Sequence, residues 1–318
     1  MIEGIPKISV PVITYNQENV IARALDSLIA QKDYLYEICV SDDCSKDRTW
    51  DVLQEYATKY PGLFVLNRNN PNVGIFENIE KTWTMPSGDI IYQLAGDDEA
   101  GEGWFQRVVE HLLNNKIDYH NELFSVYGDY KAICPNGDSC VYTNELILRQ
   151  GDVVKYSLLG MIGNRSSCFS INILKQYQKV SQGRSHIAET AQDIQLPFYT
   201  KEFYYLPYVG NMYYAGTGVS SKIDSDTAKE RIDIVPYAFE FLKNNGYKIG
   251  FRERMYCKYN ISIKEGAIKG GLYPYLKAAF WFFFTYCTSI NTLKKSICRK
   301  LFSMRRRVYH TTPIKMKV

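Results

Sequence analysis

The chain has 318 residues, 46% of them hydrophobic, with 26 tyrosines, only 11 prolines and a formal charge of +4. That composition excludes a disordered or low-complexity chain, and the length suits one large α/β domain with an appendage or two smaller units. Nine basic residues and no acidic ones occur from Lys294 to the end, leaving residues 1–293 with a net charge of −5. An acidic body argues against nucleic-acid binding by the fold, and the basic tail suits an anionic surface.

The first third alternates strand and helix signals. Lys7 to Thr14 is a β-branched run; Asn16 is a candidate helix N-cap, and Val20, Ile21, Ala24, Leu25, Leu28 and Ile29 follow at helical spacing. Ile38 to Ser41 is strand-like, and Ser45 or Asp47 can cap a helix that aligns Trp50, Leu53, Ala57 and Tyr60. Leu63 to Leu66 predicts a strand, Val73 to Trp83 a helix and Asp89 to Leu94 a buried strand. This order implies a mainly parallel sheet with helices on both faces. The middle third is less regular. Strands are expected over Phe124 to Ile133, Cys140 to Thr143, Ser166 to Ile171 and Phe203 to Leu206, a helix over Ile194 to Lys201, and further helices from Asp224 to Asn245 and on to about Ile268. The expected division is a domain over residues 1–220 and a helical extension over 221–318. The eight cysteines form no C-x-x-C pair and several lie in apolar runs, the pattern of reduced, structural thiols.

In a sheet of this kind ligands bind at the carboxyl ends of the strands. The polar clusters fall there: Tyr15-Asn16 after the first strand, Asp42-Asp43 after the second and Gly96-Asp97-Asp98-Glu99 after the fourth. A lone Asp pair is ordinarily a turn or a cap. Two acidic clusters at the ends of two strands of one sheet repel one another unless donors or a cation lie between them, and a hard divalent ion holding diphosphate oxygens meets that need.

The successive segments Ser9-Val10-Pro11-Val12-Ile13-Thr14-Tyr15-Asn16, Val40 to Thr49, Asn72-Val73-Gly74 and Gly96-Asp97-Asp98-Glu99 resemble, in order and spacing, the signatures of family 2 glycosyltransferases. The resemblance covers about residues 7–105 and continues more weakly to about 220. It implies a GT-A fold, a Rossmann-like mixed, mainly parallel sheet flanked by helices, and an inverting transfer from a nucleotide sugar, UDP-linked by expectation, to a glycan or lipid-linked acceptor. It further implies that Thr14, Tyr15 and Asn16 lie along the base, that Asp43 beside Asp42 accepts from the uracil imide, and that Asn72 and Gly74 line the nucleotide pocket. For Tyr15 the competing reading is core packing. Asp97, assisted by Asp98, would hold Mn or Mg against the diphosphate. Ala95 stands where the family has a first acid, which leaves the ribose without its usual partner. Asp193, in Ala191-Gln192-Asp193-Ile194, stands where the family has its general base, with Gln192 replacing Glu; an Asp ahead of Ile194 also suits a helix N-cap. Glu189 is the fallback base. Gly163 to Ser167 falls in the acceptor-pocket stretch and Gly216-Thr217-Gly218 in a loop near the diphosphate.

Leu272 to Ile290 is apolar and aromatic but interrupted by Pro274 and Lys277, too short for a span of about 20 residues. Leu293, Ile297, Leu301 and Met304 then recur among lysines and arginines, the form of an interfacial helix. With no signal-like start at Met1 to Pro6, the expected location is cytoplasmic, peripheral on the inner face of the cytoplasmic membrane, and the expected setting is bacterial surface polysaccharide or lipopolysaccharide assembly. Two other readings compete: a non-catalytic nucleotide-sugar or glycan-binding relative, and a sugar nucleotidyltransferase, which needs a Gly-rich basic loop after the first strand.

Overall fold

The computed structural model describes residues 4–148, 152–158, 164–179, 189–216 and 236–286. Ten strands form one sheet: β1 (Ile8–Thr14), β2 (Leu35–Asp42), β3 (Phe64–Arg68), β4 (Ile90–Tyr92), β5 (Leu94–Ala95), β6 (Glu99–Ala100), β7 (Phe124–Ile133), β8 (Ser139–Tyr142), β9 (Ser167–Ser170) and β10 (Glu202–Tyr214). Their order is β3-β2-β1-β4-β9-β7-β10-β6, with β5 beside β1 and β8 beside β7. β1 pairs in parallel with β2, β4 and β5, and β2 with β3. β9 runs antiparallel between β4 and β7. The result is the mixed α/β sheet expected.

Eleven described helices accompany it: α1 (Ile21–Ile29), α2 (Thr49–Lys59), α3 (Ile75–Thr82), α4 (Trp104–Asn114), α5 (Glu145–Leu148), α6 (Val153–Leu158), α7 (Ile171–Leu174), α8 (Glu189–Tyr199), α9 over residues 236–244, α10 (Phe251–Lys269) and α11 (Tyr273–Tyr286). β1 is buried on both sides because helices cover both faces of the sheet. One core joins Ile8, Val10 and Val12 to Leu25 and Leu28 of α1, Leu53 of α2 and Trp104 and Phe105 of α4. The other joins Ile91 and Phe169 to Phe76 and Ile79 of α3, Ile173 of α7 and Ala191 and Leu196 of α8. Ala238, Phe241 and Leu242 of α9 pack against Ile194. The expected boundary at residue 220 falls outside the described residues.

Register brings the carboxyl ends together. Thr14 lies opposite Asp42, Asp42 opposite Arg68, and Ile13 opposite Ala95. Asn16 is not the cap of α1, which starts at Ile21 after a turn held by the Gln17 carbonyl. α8 starts at Glu189, ahead of the expected Ile194, so Asp193 lies inside the helix rather than at its cap.

Among the features not anticipated are α4, although its Trp104, Phe105, Val108, Val109 and Leu112 recur at helical spacing, and the closure of β6 on β10 through Met212 opposite Glu99, which has no local sequence signal. The closure is tight. A Cβ on Gly101 would meet the Val209 carbonyl oxygen at 1.8 Å, and one on Gly210 would meet the Trp104 ring at 2.8 Å. Gly101→Ala is therefore expected to destabilise the protein by about 1–3 kcal/mol or more, through overpacking against backbone. Thermal denaturation should show a lower Tm; an unchanged Tm would contradict this closure.

Candidate active site

The loops after β1 and β2 are built on each other. Asn16 and Cys44 both have positive φ, 50° and 63°, a costly region for non-glycine residues that is held only by surrounding contacts. Asn16 N–H donates to Ser45 Oγ at 2.9 Å and Asn16 Oδ1 accepts from Lys46 N at 2.9 Å. Gln17 N–H donates to Thr49 Oγ1 at 2.7 Å and Glu18 N–H to Asp47 Oδ2 at 3.1 Å. Burial alone would raise the Asp47 carboxyl, but hydrogen bonds from Thr49 and Glu18 outweigh it and hold it below the usual carboxylate range.

Asp42 and Asp43 face different tasks. Asp42 is fully buried and accepts from the Ser45 N–H at 3.0 Å and the Ser45 hydroxyl, with Arg68 Nε at 3.4 Å. It builds the turn. Asp43, 2% exposed, reaches the other way. Its Oδ1 accepts from Val73 N at 2.9 Å and Asn69 Nδ2 at 3.0 Å, and its Oδ2 from Gly74 N at 2.8 Å. Asn72 Nδ2 donates to the Asp43 carbonyl at 2.7 Å. Gly74 has φ 85°, which lets the chain turn into α3 beneath this carboxylate. Three of about four acceptor positions on Asp43 are thus filled by the 69–74 loop. Thr14 is buried, its hydroxyl on Gln17 Oε1 at 2.8 Å. Tyr15 is 40% exposed, so it is a surface residue and not part of the core.

The second acidic cluster follows β5, which flanks β1 on the side away from β2. Gly96 N–H donates to the Ile13 carbonyl at 2.9 Å, tying the motif to the end of β1. Arg23 of α1 holds it from the other side: its NH2 donates to the Asp97 carbonyl at 2.6 Å, its Nε lies 3.1 Å from Glu99, and its guanidinium stacks on Tyr214 at 3.5 Å. Tyr214 N–H donates to Asp98 Oδ1 at 3.1 Å and its hydroxyl to Glu99. Burial and the Glu99 carboxylate push the Tyr214 phenol up to about 12. Asp97 and Asp98 are 8% and 3% exposed. Asp98 Oδ2 lies 3.7 Å from Arg165, which stacks on Tyr213 at 4.1 Å.

Among the described residues no group of three His, Cys, Asp or Glu side chains can hold a metal by itself. A magnesium-type ion needs only one or two carboxylates when substrate phosphates complete its shell. Asp97 fits that role; Asp98 fits it only on exchanging its contact with Arg165.

Asp193 accepts at Oδ1 from Asn164 N at 3.2 Å and Asn164 Nδ2 at 3.0 Å. Asn164 Oδ1 in turn accepts from the Tyr127 hydroxyl at 2.7 Å. Burial, with the Asp193 charge nearby, raises the Tyr127 phenol far above its ordinary value. Gln192 is 7% exposed and its Nε2 is a buried donor without a hydrogen-bond partner among the described residues. Since Asn164 meets Asp193 and the next residue meets Asp98, one dipeptide links the expected base to the expected metal motif. Arg23, Asn69 and Tyr214 were not anticipated; Arg23 shares the polar side of α1 with Asp26 and Ser27, and nothing in its spacing set it apart. Gly163, Thr217 and Gly218 lie outside the described residues, as does the Glu189 side chain, while Gly216 takes φ 90° in the turn after β10.

Residues 9–125 match the family described as Glycosyl transferase family 2. An uncharacterised protein of Mycobacterium tuberculosis is 35% identical over 91 residues, 28% of this chain and 26% of that protein. The poly(ribitol-phosphate) beta-glucosyltransferase of Bacillus spizizenii is 33% identical over 116 residues, 35% of this chain and 18% of that enzyme. The matches therefore span about a quarter or less of these relatives. The crystal structure of S. aureus TarS 1–349 in complex with UDP-GlcNAc superposes with a TM-score of 0.61 at 14% identity, covering 87% of this chain and 79% of that one. At that identity the likeness is one of fold, and the fold is the expected GT-A sheet.

Asp43→Asn puts an NH2 group against a backbone N–H of Val73 or Gly74. Hydrogen bonds to a charged group contribute about 1.5–3 kcal/mol each, so the 69–74 loop should loosen. Hydrogen exchange at Val73 and Gly74 is expected to accelerate well beyond that of β1; unaltered protection would contradict the role given to this carboxylate.

Proposed function

We propose, for a chain whose residues 9–125 match glycosyl transferase family 2, that the protein is an inverting glycosyltransferase. It moves a sugar from a nucleotide diphosphate donor, UDP-linked in this reading, to a glycan or lipid-linked acceptor. The observation that carries this is the link Asp98–Arg165–Asn164–Asp193, which holds an acidic donor motif and a separate half-buried carboxylate on either side of one short segment. Support for the donor comes from the exposed Tyr15 ring, which can cover a base face, and from the remaining acceptor position of Asp43, suited to an imide N–H. Thr14, Asn16, Asp42, Asn72 and Gly74 shape that pocket through the loop bonds described above. TarS, with the same fold, has been solved with UDP-GlcNAc.

Asp97, with Asp98 on exchange from Arg165, would hold Mn or Mg, an ion that neutralises charge developing on the diphosphate. Asp193 takes the proton of the acceptor hydroxyl as its oxygen attacks the anomeric carbon. The bond from that carbon to the diphosphate oxygen breaks, and the electron pair leaves with the nucleotide. Asn164 fixes one oxygen of Asp193, which keeps the carboxylate oriented. Gln192 offers its buried amide to a substrate oxygen. The setting proposed is surface-polysaccharide assembly on the cytoplasmic side of the membrane, with the basic tail on anionic lipid.

Two variants test this. Asp193→Asn should leave nucleotide binding intact and reduce transfer about 10² to 10⁴-fold, the usual effect of losing a general base; near-normal transfer would remove Asp193 from the mechanism. Asp97→Asn should abolish the gain in UDP affinity that Mn provides, read by calorimetry. An unchanged gain would move the metal elsewhere.

A further inference from the structure

α11 lacks a polar outer side. Tyr273, Leu276, Phe280 and Phe283 are 76%, 58%, 54% and 58% exposed, and Leu272 just before the helix is 71% exposed. Their spacing puts them along one stripe. The other side is already in use. Ala278 is buried, and the Tyr275 ring lies over Gly266, where an added Cβ would meet it at 2.9 Å. Phe282 meets Tyr259 with centroids 5.5 Å apart, Lys258 lies over Trp281 at 4.5 Å, and Lys277 pairs with Glu265 at 3.5 Å. α10 therefore covers one face of α11, and among the described residues nothing covers the stripe. A surface helix in water carries charged residues there, and a contiguous run of large apolar side chains marks a contact surface.

Charge identifies the partner. α11 runs directly into residues 287–318, which carry nine basic side chains and no acidic ones. An aromatic stripe continuous with a cationic segment complements the surface of a bilayer with anionic headgroups: tyrosine and phenylalanine favour the interfacial zone, and lysine and arginine meet the headgroups. We propose that the α10–α11 hairpin lays the stripe Tyr273, Leu276, Phe280 and Phe283 into the interface of an anionic membrane. No described helix is long and apolar enough to cross a bilayer; the contact proposed lies in the plane of the surface, where a one-sided apolar stripe can be buried. This deepens the proposed attachment of the basic tail and rests on that reading only for the sign of the lipid charge.

The test is flotation of the full-length protein with vesicles of phosphatidylglycerol and phosphatidylcholine, and with phosphatidylcholine alone. Two multiple variants are compared with it: Leu276→Ser with Phe280→Ser and Phe283→Ser, and Arg305→Gln with Arg306→Gln and Arg307→Gln. The stripe is exposed, so the first variant should melt like the parent. It is expected to lose about tenfold or more of its partition to anionic vesicles, including the part that survives high salt. The second should lose mainly the salt-sensitive part. If only the arginine variant loses binding, tail attachment stands and the stripe proposal fails. The proposal is also overturned if the parent does not float but forms a dimer that the serine variant dissociates, which would make the stripe a self-association face.

Discussion

A carboxylate buried at the end of a strand must be met by donors, and the loops of this protein are shaped by that requirement. Asp42, Asp43, Asp97 and Asp98 are all at least nine-tenths buried, at or just beyond the carboxyl ends of β2 and β5, the strands that flank β1. Removing the partner of a buried charge is strongly destabilising, so each acid dictates the backbone around it. Asp42 closes the β2–α2 turn through Ser45, and Ser45 in turn receives the Asn16 N–H from the β1–α1 loop. Asp43 draws in the backbone N–H groups of Val73 and Gly74 and so sets where α3 begins. Asp98 pins the end of β10 through Tyr214 N–H. The strand-end loops are thus held together by buried hydrogen bonds from one loop to the next.

Asp193 is tied to the acidic motif by residues adjacent in sequence. Asn164 supports Asp193 from both its backbone and its amide, and Arg165 faces Asp98. Any shift of this segment moves Asp193, the base in the proposed reading, relative to the acidic motif. That coupling suits an in-line displacement, in which the attacking hydroxyl and the leaving diphosphate must be held on opposite sides of one carbon.

Much of this was legible in the sequence because it is local. The β-branched run at Lys7 to Thr14 and the aromatic, part-apolar segment Phe124 to Ile133 read directly as strands, and the latter has the expected bounds. The acidic clusters were placed at strand ends by the alternation of elements alone. What escaped was set by long-range packing. Nothing near Trp104 announces that its ring rests on Gly128 and Gly210, and the two-residue strand β6 exists only because β10 runs alongside it. Asn16 looked like a cap because the apolar period resumes at Val20, yet cross-loop bonds to Ser45 and Lys46 hold it at positive φ instead. Asp193 resembled a cap because the residues before it give no helical period; the helix extends back to Glu189 once Ala191 is buried against α3 and α7.

The central claim is a single displacement at the anomeric carbon, with the acceptor proton taken by Asp193. Real-time proton NMR of the product's anomeric signal, with the full chain, Mn and a panel of nucleotide sugars offered with candidate acceptors, tests it most directly. The account predicts nucleotide release coupled to a product whose first-formed anomer has the configuration opposite to that of the donor. A first-formed product that retains the donor configuration would contradict it.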